Sequence, residues 1–315
     1  MADLEMIREG LLATPKRLPS VMLYDELGSV LFEAITLVPE YEVARVDAAM
    51  LSAHIGEALG LISGVGAAPL EIVELGPGHG RKARVVLEQV LRRQAGVSFY
   101  AIDISRTALH GCQRNLEDLS GVAFTAIEAT FLEGLARLPP AREGHRRVVF
   151  FLGSNLSNFD RVESLQFLKD VRAALRPGDA LVLSADLEKP PERLLSAYDD
   201  ALGVTAAFDK NLLVQLNRDF GADFPLDAFT HEARWNASAR RVEMHLRATR
   251  ACEVQVPRLE LCLRFTVGET IWTESSHRFS VAELLAWGEA AGLPCRRSWV
   301  DEAWPLALAL FVVAP

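Results

Sequence analysis

Three observations predict an α/β protein built on a doubly wound, mainly parallel sheet. Apolar runs rich in β-branched or large residues recur along the chain, with helical or turn sequence between them. These runs are continuously apolar rather than alternating, which is typical of strands covered on both faces. The chain has 315 residues, about two domains at ~150 residues each, so a second domain is expected beside the sheet.

Five of these apolar runs are predicted to be the strands of the sheet. With the helical sequence between them they give a β-α-β-α-β-α-β-α-β order. They lie at residues 70–75, 98–104, 122–127, 147–152 and 180–185.

The flanking sequence differs from this pattern. The first 60 residues are helical, with breaks at 19–20 and 39–41, and helical sequence returns at 191–220. Alternating strand-like sequence then follows at 241–248 and 259–267, which indicates an insertion containing β-structure.

The C-terminal region is predicted to return to the sheet domain. A helix at 280–291 has Ser280 as N-cap and Gly292 just past its end. Two strands ending at Val313 then form an antiparallel hairpin connected by residues 299–305. The predicted domains are therefore a sheet domain at 61–190 and 281–315, and a second domain at 1–60 and 191–280.

Composition and charge exclude several classes of protein. Half of the residues are hydrophobic and 24% are charged, which is ordinary for a folded protein. The formal net charge of -9 disfavours nucleic acids and anionic membranes as partners. The four cysteines form no CxxC pair and the histidines no HxH or HExxH, so no metal site is predicted. The N-terminus lacks the apolar run of a secretory signal, and a cytoplasmic protein is expected.

A glycine-rich loop follows the first predicted strand. It reads Glu74-Leu75-Gly76-Pro77-Gly78-His79-Gly80, at the edge where open α/β sheets bind ligands. Glycine permits tight turns and close approach of a ligand to the backbone. The next strand ends at Asp103, about 25 residues after Gly78, which is the distance at which such folds hold ribose hydroxyls. The loop and Asp103 together predict a nucleoside cofactor.

Other interpretations of this loop stay open. A strand-to-helix turn without a ligand has the same glycines. A nicotinamide cofactor needs GxGxxG, and Arg81 puts the third glycine out of register, which disfavours an NAD-dependent oxidoreductase. The acid at Glu74 is more typical of S-adenosylmethionine (SAM) binders. Lys82 could reach a carboxylate or remain a solvated surface lysine.

With these residues in hand, the chain resembles the histidine-specific, SAM-dependent methyltransferases of ergothioneine biosynthesis. The similarity covers nearly the whole length, and several of its segments lie outside the cofactor fold. They are 24–29 (YDELGS), 39–41 (PEY), 74–78 (ELGPG), 153–159 (GSNLSNF), 197–200 (AYDD), 203–208 (GVTAAF), 216–218 (LNR), 221–224 (GADF) and 273–276 (TESS).

The resemblance implies the fold, the reaction and the ligand contacts. It implies a Rossmann-like SAM-binding domain, and a second α+β domain that closes over the substrate. The implied reaction is methylation of the α-amino group of L-histidine, three times, to give hercynine. The implied cofactor contacts are Gly76, Gly78, Lys82, Asp103, Thr130 and Phe131. The implied substrate contacts are Tyr24, Tyr41, Asn158, Tyr198, Met244, Glu274 and Ser276.

The implied substrate contacts suit a free amino acid with an imidazole side chain. Asn158 and Tyr198 supply neutral donors to its carboxylate. Glu274 and Ser276 alternate along one face of an extended segment, so both can reach the imidazole nitrogens. Tyr24 and Tyr41 are expected to act in catalysis, because aromatic faces accommodate the cation that develops on the amine.

Some positions depart from the family pattern. Residues 77–80 replace small polar residues of the cofactor loop, and Thr130 stands where an acid normally precedes Phe131. Asn155 and Ser157 replace a threonine and a glycine, and Asp209 replaces an asparagine. These changes bear on adenine recognition and on substrate preference.

Two other functions remain alternatives. One is a related amine methyltransferase acting on another amino acid, such as tryptophan. The other is a non-catalytic SAM-binding partner module. A monomer is expected in either case.

Overall fold

The computed structural model describes residues 4–63 and 68–314, and the chain divides into two compact units. The large unit consists of Val43–Glu188 and Arg278–Pro315. The small unit consists of Met1–Glu42 and Lys189–His277.

The α-helices of the described residues are numbered in chain order. They are α1 (Leu4–Leu12), α2 (Glu26–Ile35), α3 (Glu42–Ser63), α4 (Arg81–Leu91), α5 (Arg106–Leu116), α6 (Phe131–Ala136), α7 (Arg161–Ala173), α8 (Pro191–Tyr198), α9 (Val204–Phe220) and α10 (Val281–Ala290).

The strands are numbered in the same way. They are β1 (Lys16–Arg17), β2 (Leu70–Leu75), β3 (Val97–Asp103), β4 (Val122–Glu128), β5 (Arg146–Phe151), β6 (Ala180–Asp186), β7 (Phe229–Asn236), β8 (Arg241–Ala248), β9 (Cys252–Val256), β10 (Leu261–Phe265), β11 (Thr270–His277), β12 (Cys295–Asp301) and β13 (Leu306–Val312).

The large unit is built on a seven-stranded sheet in the order β12-β13-β6-β5-β2-β3-β4. Strands β2 to β6 are parallel, and β13 runs antiparallel to both β6 and β12. Every residue of β2 and of β6 is buried, as the continuous apolar runs predict. From β2 the chain builds β3 and β4 on one side, and it then crosses to the other side of β2 to build β5 and β6. The strand order therefore reverses between β2 and β5, and their carboxyl ends form the switch point where such sheets bind ligands.

Helix α3 belongs to the large unit, so the structure puts the first domain boundary at Glu42 and not at residue 60. The ring of His54 stacks on that of Trp299 in β12, with ring centres 5.0 Å apart. The indole nitrogen of Trp299 also donates to Glu57, 3.3 Å away. These contacts attach α3 to the edge of the large sheet. The helical periodicity of the sequence predicts the helix but not where it packs.

The C-terminal hairpin is confirmed, but its predicted connection at 299–305 is too long. Trp299 pairs with Leu308, and β12 continues to Asp301. The strand extends this far because Trp299 is buried and hydrogen-bonded to α3. The connection is therefore confined to residues 302–305.

The small unit has a four-stranded sheet in the order β1-β11-β8-β7 and a separate β9–β10 pair. Helices α8 and α9 pack on β7 and β8. The predicted strand at 259–267 is shorter in the structure, because a 3-10 turn occupies Pro257–Leu259 before β10. The sequence does not predict β7, since after Phe229 and His231 its residues are only partly buried and give no apolar alternation.

Among the described residues, no helix has both the length and the apolar character needed to cross a membrane.

Candidate active site

The glycine loop after β2 adopts a backbone that side chains rarely allow. Gly76 and Gly78 have φ of 71° and 56°. A Cβ on Gly76 would lie 2.7 Å from the side-chain amide nitrogen of Asn155, so a side chain here would be strained in its backbone and would displace Asn155. No atom of the described residues lies within 4 Å of a Cβ built on Gly78. The loop therefore leaves open space beside its backbone at the edge of the sheet.

Asp103 ends β3 next to this loop. Its carboxylate accepts hydrogen bonds from the backbone N–H of Gly78, at 3.3 Å, and of Ser105, at 2.9 Å. Burial raises the pKa of Asp103, and these N–H groups oppose the rise. The backbone N–H of Ile104 also opposes the rise, and because a carboxylate has about four lone pairs, capacity remains for a ribose hydroxyl.

Asp47, on α3, links two elements of the loop region and is a residue that the sequence does not predict. Its Oδ2 accepts from the Lys82 ammonium and from the backbone N–H of Gly153, both at 2.7 Å. Asp47 is fully buried, which strengthens both bonds. Lys82 is therefore not a solvated surface lysine, because Asp47 holds its ammonium near Gly153, two residues past the end of β5.

Glu74 is a buried acid at the carboxyl end of β2. Burial raises its pKa to about 7; the Lys82 charge lowers it, and those of Asp47 and Asp103 raise it further. Its Oε1 has no hydrogen-bond partner among the described residues. A buried carboxyl oxygen left in this way is suited to a cationic or hydrogen-bond-donating ligand.

Phe131 and Thr130 take different positions relative to the loop. The Phe131 ring lies 3.4 Å from the Cβ position of Gly76 and packs edge-on against Phe151, with centres 5.1 Å apart. The Thr130 hydroxyl donates to Glu133 at 2.9 Å and caps α6. Thr130 is exposed, so its role here is to start the helix that carries Phe131.

The loop region fits SAM on these observations. It offers glycine backbone with open space, the Asp103 carboxylate beside that backbone for the ribose hydroxyls, and an unpartnered acid oxygen at Glu74. The Lys82 ammonium is held near the loop by Asp47. In the same unit, Asn158 ends a 3-10 turn after β5 and its side chain is exposed.

In the small unit, a β-bulge sets the direction of the predicted imidazole ligands. The pairing between β11 and β8 shifts at Trp272–Glu274, leaving Thr273 as the extra residue. Past the bulge, Glu274 pairs with Met244 and Ser276 with Val242. Because Met244 and Val242 are both buried, Glu274 and Ser276 lie on the inner face of this sheet. The bulge thus brings the predicted residues Met244, Glu274 and Ser276 together.

Tyr198 joins this group from the end of α8. Its hydroxyl lies 2.6 Å from that of Ser276. The Tyr198 ring also meets the ring of Tyr41 edge-on, with centres 6.3 Å apart.

Aromatic side chains link the tyrosines predicted to contact substrate. Phe32, on α2, packs edge-on against Tyr24 and Tyr41, with centres 5.6 and 6.4 Å away. Phe208, on α9, lies 5.7 Å from Tyr24 and 6.0 Å from Phe32. Phe32 and Phe208 are not among the predicted ligands. Phe208 ends one of the segments that carry the family resemblance, whereas nothing in the local sequence of Phe32 distinguishes it from an ordinary core residue.

A buried acid–base pair lies on the same side of the small sheet. Asp209 of α9 and His231 of β7 are 2.7 Å apart, from Oδ2 to Nδ1. The other ring nitrogen of His231 lies 2.7 Å from the carbonyl oxygen of Tyr198.

No cluster of histidine, cysteine, aspartate and glutamate suited to a metal ion occurs in residues 4–63 and 68–314.

The comparison with known families decides the identity of the fold. The model of the family described as "histidine-specific methyltransferase, SAM-dependent" matches residues 3–313. The chain belongs to this family. Its large unit is accordingly a Rossmann-like SAM-dependent methyltransferase domain, and the protein is an enzyme of that class.

Curated relatives extend the match over nearly the whole chain. The histidine N-alpha-methyltransferase of Mycolicibacterium smegmatis is 39% identical over 97% of this chain and 93% of its own. The Mycobacterium tuberculosis protein of the same name is 40% identical over 96% of this chain and 92% of its own. The ergothioneine biosynthesis protein 1 of Neurospora crassa is 31% identical over 66% of this chain and 23% of its own.

Proposed function

We propose that this enzyme transfers methyl groups from SAM to the α-amino group of L-histidine, three times, and so produces hercynine for ergothioneine biosynthesis. The observation that carries the proposal is the buried group of Glu274, Ser276 and Tyr198 in the small unit. Glutamate is seldom buried in proteins, and here its carboxylate lies on the same inner sheet face as Ser276, whose hydroxyl meets that of Tyr198. The family and the two mycobacterial relatives support histidine as the substrate.

The imidazole is assigned to Glu274 and Ser276. A carboxylate accepts the imidazole N–H, and a serine hydroxyl either donates to or accepts from the other ring nitrogen. Both residues are at least nine-tenths buried, so their preference for a polar ring over a phenyl or indole ring is strengthened by the low local dielectric. Met244, paired with Glu274, supplies an apolar surface beside the ring.

We assign binding of the substrate's amine to Tyr24 and Tyr41. Its carboxylate is assigned to Tyr198 and Asn158. Tyr24 and Tyr41, joined by Phe32, present aromatic faces to a nitrogen that becomes a quaternary cation. The Tyr198 hydroxyl and the Asn158 amide donate to the carboxylate. Asn158 is a residue of the large unit, and its assignment rests on the family resemblance.

SAM supplies a methyl group on a sulfonium sulfur. At each transfer the nitrogen lone pair forms the N–C bond, the C–S bond breaks, and sulfur keeps the electron pair to give S-adenosylhomocysteine (SAH). The nitrogen must be unprotonated each time, so three protons are released from the ammonium form of histidine over three transfers. The residues assigned to the amine are tyrosines, and we assign proton removal to water held by Tyr24 and Tyr41. The rate enhancement then comes mainly from holding the amine in line.

The cytoplasm is the proposed site of action. All four cysteines are unpaired in the structure, which suits a reducing compartment.

The test is a competition among substrates. The purified protein is incubated with SAM and an equal mixture of the twenty amino acids, and mass spectrometry follows the methylated products. We expect histidine alone to gain three methyl groups. A gain on tryptophan or another amino acid would overturn the substrate, and no product despite SAM binding would favour the non-catalytic partner module.

A matched pair of variants ties the product to the proposed site. Ser276→Ala removes the hydroxyl on the inner face, and Ser275→Ala makes the same change on the neighbouring residue, which faces the other side. We expect Ser276→Ala to reduce kcat/KM for histidine about tenfold and Ser275→Ala to leave it unchanged. Equal changes of kcat/KM in the two variants would show that Ser276 is not a substrate ligand.

A further inference from the structure

We infer that His231, held by Asp209, is a positioning residue for substrate binding: it fixes the end of α8 and thereby the hydroxyl of Tyr198. This inference rests on the proposed function, because it takes Tyr198 and Ser276 to be ligands of the histidine substrate.

The geometry leaves His231 little freedom. Both ring nitrogens have partners 2.7 Å away, the Asp209 carboxylate at one and the Tyr198 carbonyl at the other. The side chains of His231 and Asp209 are 1% and 0% exposed. A ring fixed at both nitrogens and enclosed on all sides cannot rotate away without breaking a buried hydrogen bond.

The chemistry of the partners favours protons on both ring nitrogens. A backbone carbonyl can only accept, so Nε2 donates to Tyr198. A carboxylate also accepts, so Nδ1 donates to Asp209, and the pair is an imidazolium and a carboxylate. Burial alone lowers the pKa of His231, but the hydrogen bond and charge of Asp209, with the Tyr198 carbonyl, raise it above the ordinary value. Asp199, just after α8, acts in the same direction.

The imidazolium sits where a helix end favours a cation. Tyr198 is the last residue of α8, and its carbonyl is one of those that a helix leaves without an internal partner. A charged donor satisfies that carbonyl and interacts favourably with the negative end of the helix. His231 therefore fixes where α8 ends.

The position of Tyr198 in turn affects the residues proposed to bind the substrate. Its hydroxyl lies 2.6 Å from that of Ser276 on β11, and its ring contacts that of Tyr41. A change in the main chain at Tyr198 moves this hydroxyl, because the ring is buried against Tyr41 and has little room to compensate by rotating. The path from Asp209 to Ser276 thus runs through His231 and Tyr198 by direct contacts.

Two substitutions at His231 separate this role from general stability. A glutamine amide nitrogen occupies about the place of Nε2 and keeps the donor to Tyr198, whereas an asparagine amide nitrogen occupies about the place of Nδ1 and loses it. Both remove the imidazolium. We expect His231→Asn to raise the Kd for histidine about tenfold and His231→Gln to change it less than about threefold, with the Kd for SAH unchanged in both.

A double-mutant cycle tests whether His231 acts through Tyr198. Tyr198→Phe removes the hydroxyl that His231 positions, so adding His231→Asn to it should weaken histidine binding little further. His245→Asn is the matched control, since His245 is also buried but lies on β8 with its ring facing Trp272. We expect it to leave the histidine Kd unchanged.

The outcomes separate the two proposals. Equal histidine Kd values for His231→Asn and His231→Gln, or additive effects with Tyr198→Phe, would overturn the positioning role while leaving the proposed function standing. Failure of the wild-type protein to bind histidine would overturn both. If His231→Asn does not fold, Asp209→Ala replaces it: the ring then loses the group that holds Nδ1, so the positioning role requires a higher Kd for histidine with the Kd for SAH unchanged. An unchanged histidine Kd in that variant would overturn the role.

Discussion

At the scale of single residues, each unit contains a buried glutamate among its candidate site residues. In the large unit, Glu74 is buried with an oxygen that has no partner among the described residues. In the small unit, Glu274 is buried beside Met244, next to the Tyr198–Ser276 hydroxyl pair. Burying a carboxyl group without a partner costs free energy, so a ligand that pairs with Glu74 is expected to stabilise the large unit.

Glu74 gives a pH-dependent prediction. Its pKa is about 7 in the folded protein, against 4.5 for an ordinary glutamate. Between these pH values the folded protein holds a proton that the unfolded chain has lost, so the free energy of unfolding falls as pH rises through this window. Glu74→Gln removes this dependence and should be more stable than wild type at pH 8, by up to about 3 kcal/mol, but not at pH 5.

Thermal unfolding of the cofactor-free protein at both pH values measures this effect. Glu117→Gln makes the same chemical change at an exposed position and is the control. Parallel pH profiles for wild type and Glu74→Gln would contradict the prediction.

Glu274 gives a prediction about specificity. Glu274→Gln keeps the shape and removes the charge that accepts from the imidazole N–H. The KM for histidine should rise at least about tenfold, since hydrogen bonds to charged groups contribute about 1.5–3 kcal/mol. Glu243→Gln, on the outer face of β8, is the control. Unchanged histidine kinetics in Glu274→Gln would remove the imidazole assignment.

At the scale of elements, turns and bulges decide where the side chains point. The bulge at Thr273 is held by a hydrogen bond from its hydroxyl to the Met244 carbonyl, at 3.0 Å. Helix α2 begins at the Asp25 cap, which accepts from the backbone N–H of Gly28 at 2.8 Å and from Asn211 at 2.7 Å. The residue before this cap is Tyr24, so the start of α2 sets the place of a proposed substrate ligand.

Gly28 is expected to be essential for this element. A Cβ there would overlap the carbonyl oxygen of Leu23, although the residue is helical. Gly28→Ala should reduce the free energy of unfolding by about 2 kcal/mol or more. Gly56→Ala is the matched control, because a Cβ at this helical glycine comes no closer than 3.9 Å to Arg93. It should stabilise the protein by about 0.5–1 kcal/mol. Denaturant unfolding compares the two variants, and equal effects would contradict the assignment.

At the scale of the whole molecule, the proposed ligand sets lie largely in separate units. Gly76, Gly78, Lys82 and Asp103 belong to the large unit, and Tyr24, Tyr41, Tyr198, Glu274 and Ser276 to the small one. Each unit has its own sheet, so a substitution in one need not disturb the other.

Ligand binding to variants tests this separation. Asp103→Ala should raise the Kd for SAH about tenfold or more, because it removes the ribose acceptor. Glu274→Ala should leave the SAH Kd unchanged and abolish the thermal stabilisation by histidine in the presence of SAH. Calorimetric titration and thermal shifts measure both effects. A Glu274→Ala protein that loses SAH binding would show that the two sets are not separable.

Local sequence was sufficient for the sheet and for the cofactor loop. Continuous apolar runs indicate burial on both faces, and glycines at 76 and 78 indicate a backbone that other residues rarely adopt. Both features therefore follow from neighbouring residues. The family resemblance added the ligand residues of the small unit, which no spacing rule predicts.

Tertiary structure decided which polar groups meet. Asp47 reaches Lys82 and Gly153 only because α3 packs in the large unit, and Asp209 meets His231 only because α9 covers β7. Hydrophobic periodicity indicates which face of an element is buried, but not which partner it finds there. The partner depends on the packing of elements far apart in the chain, and in this protein that packing sets the environment of the proposed active-site residues.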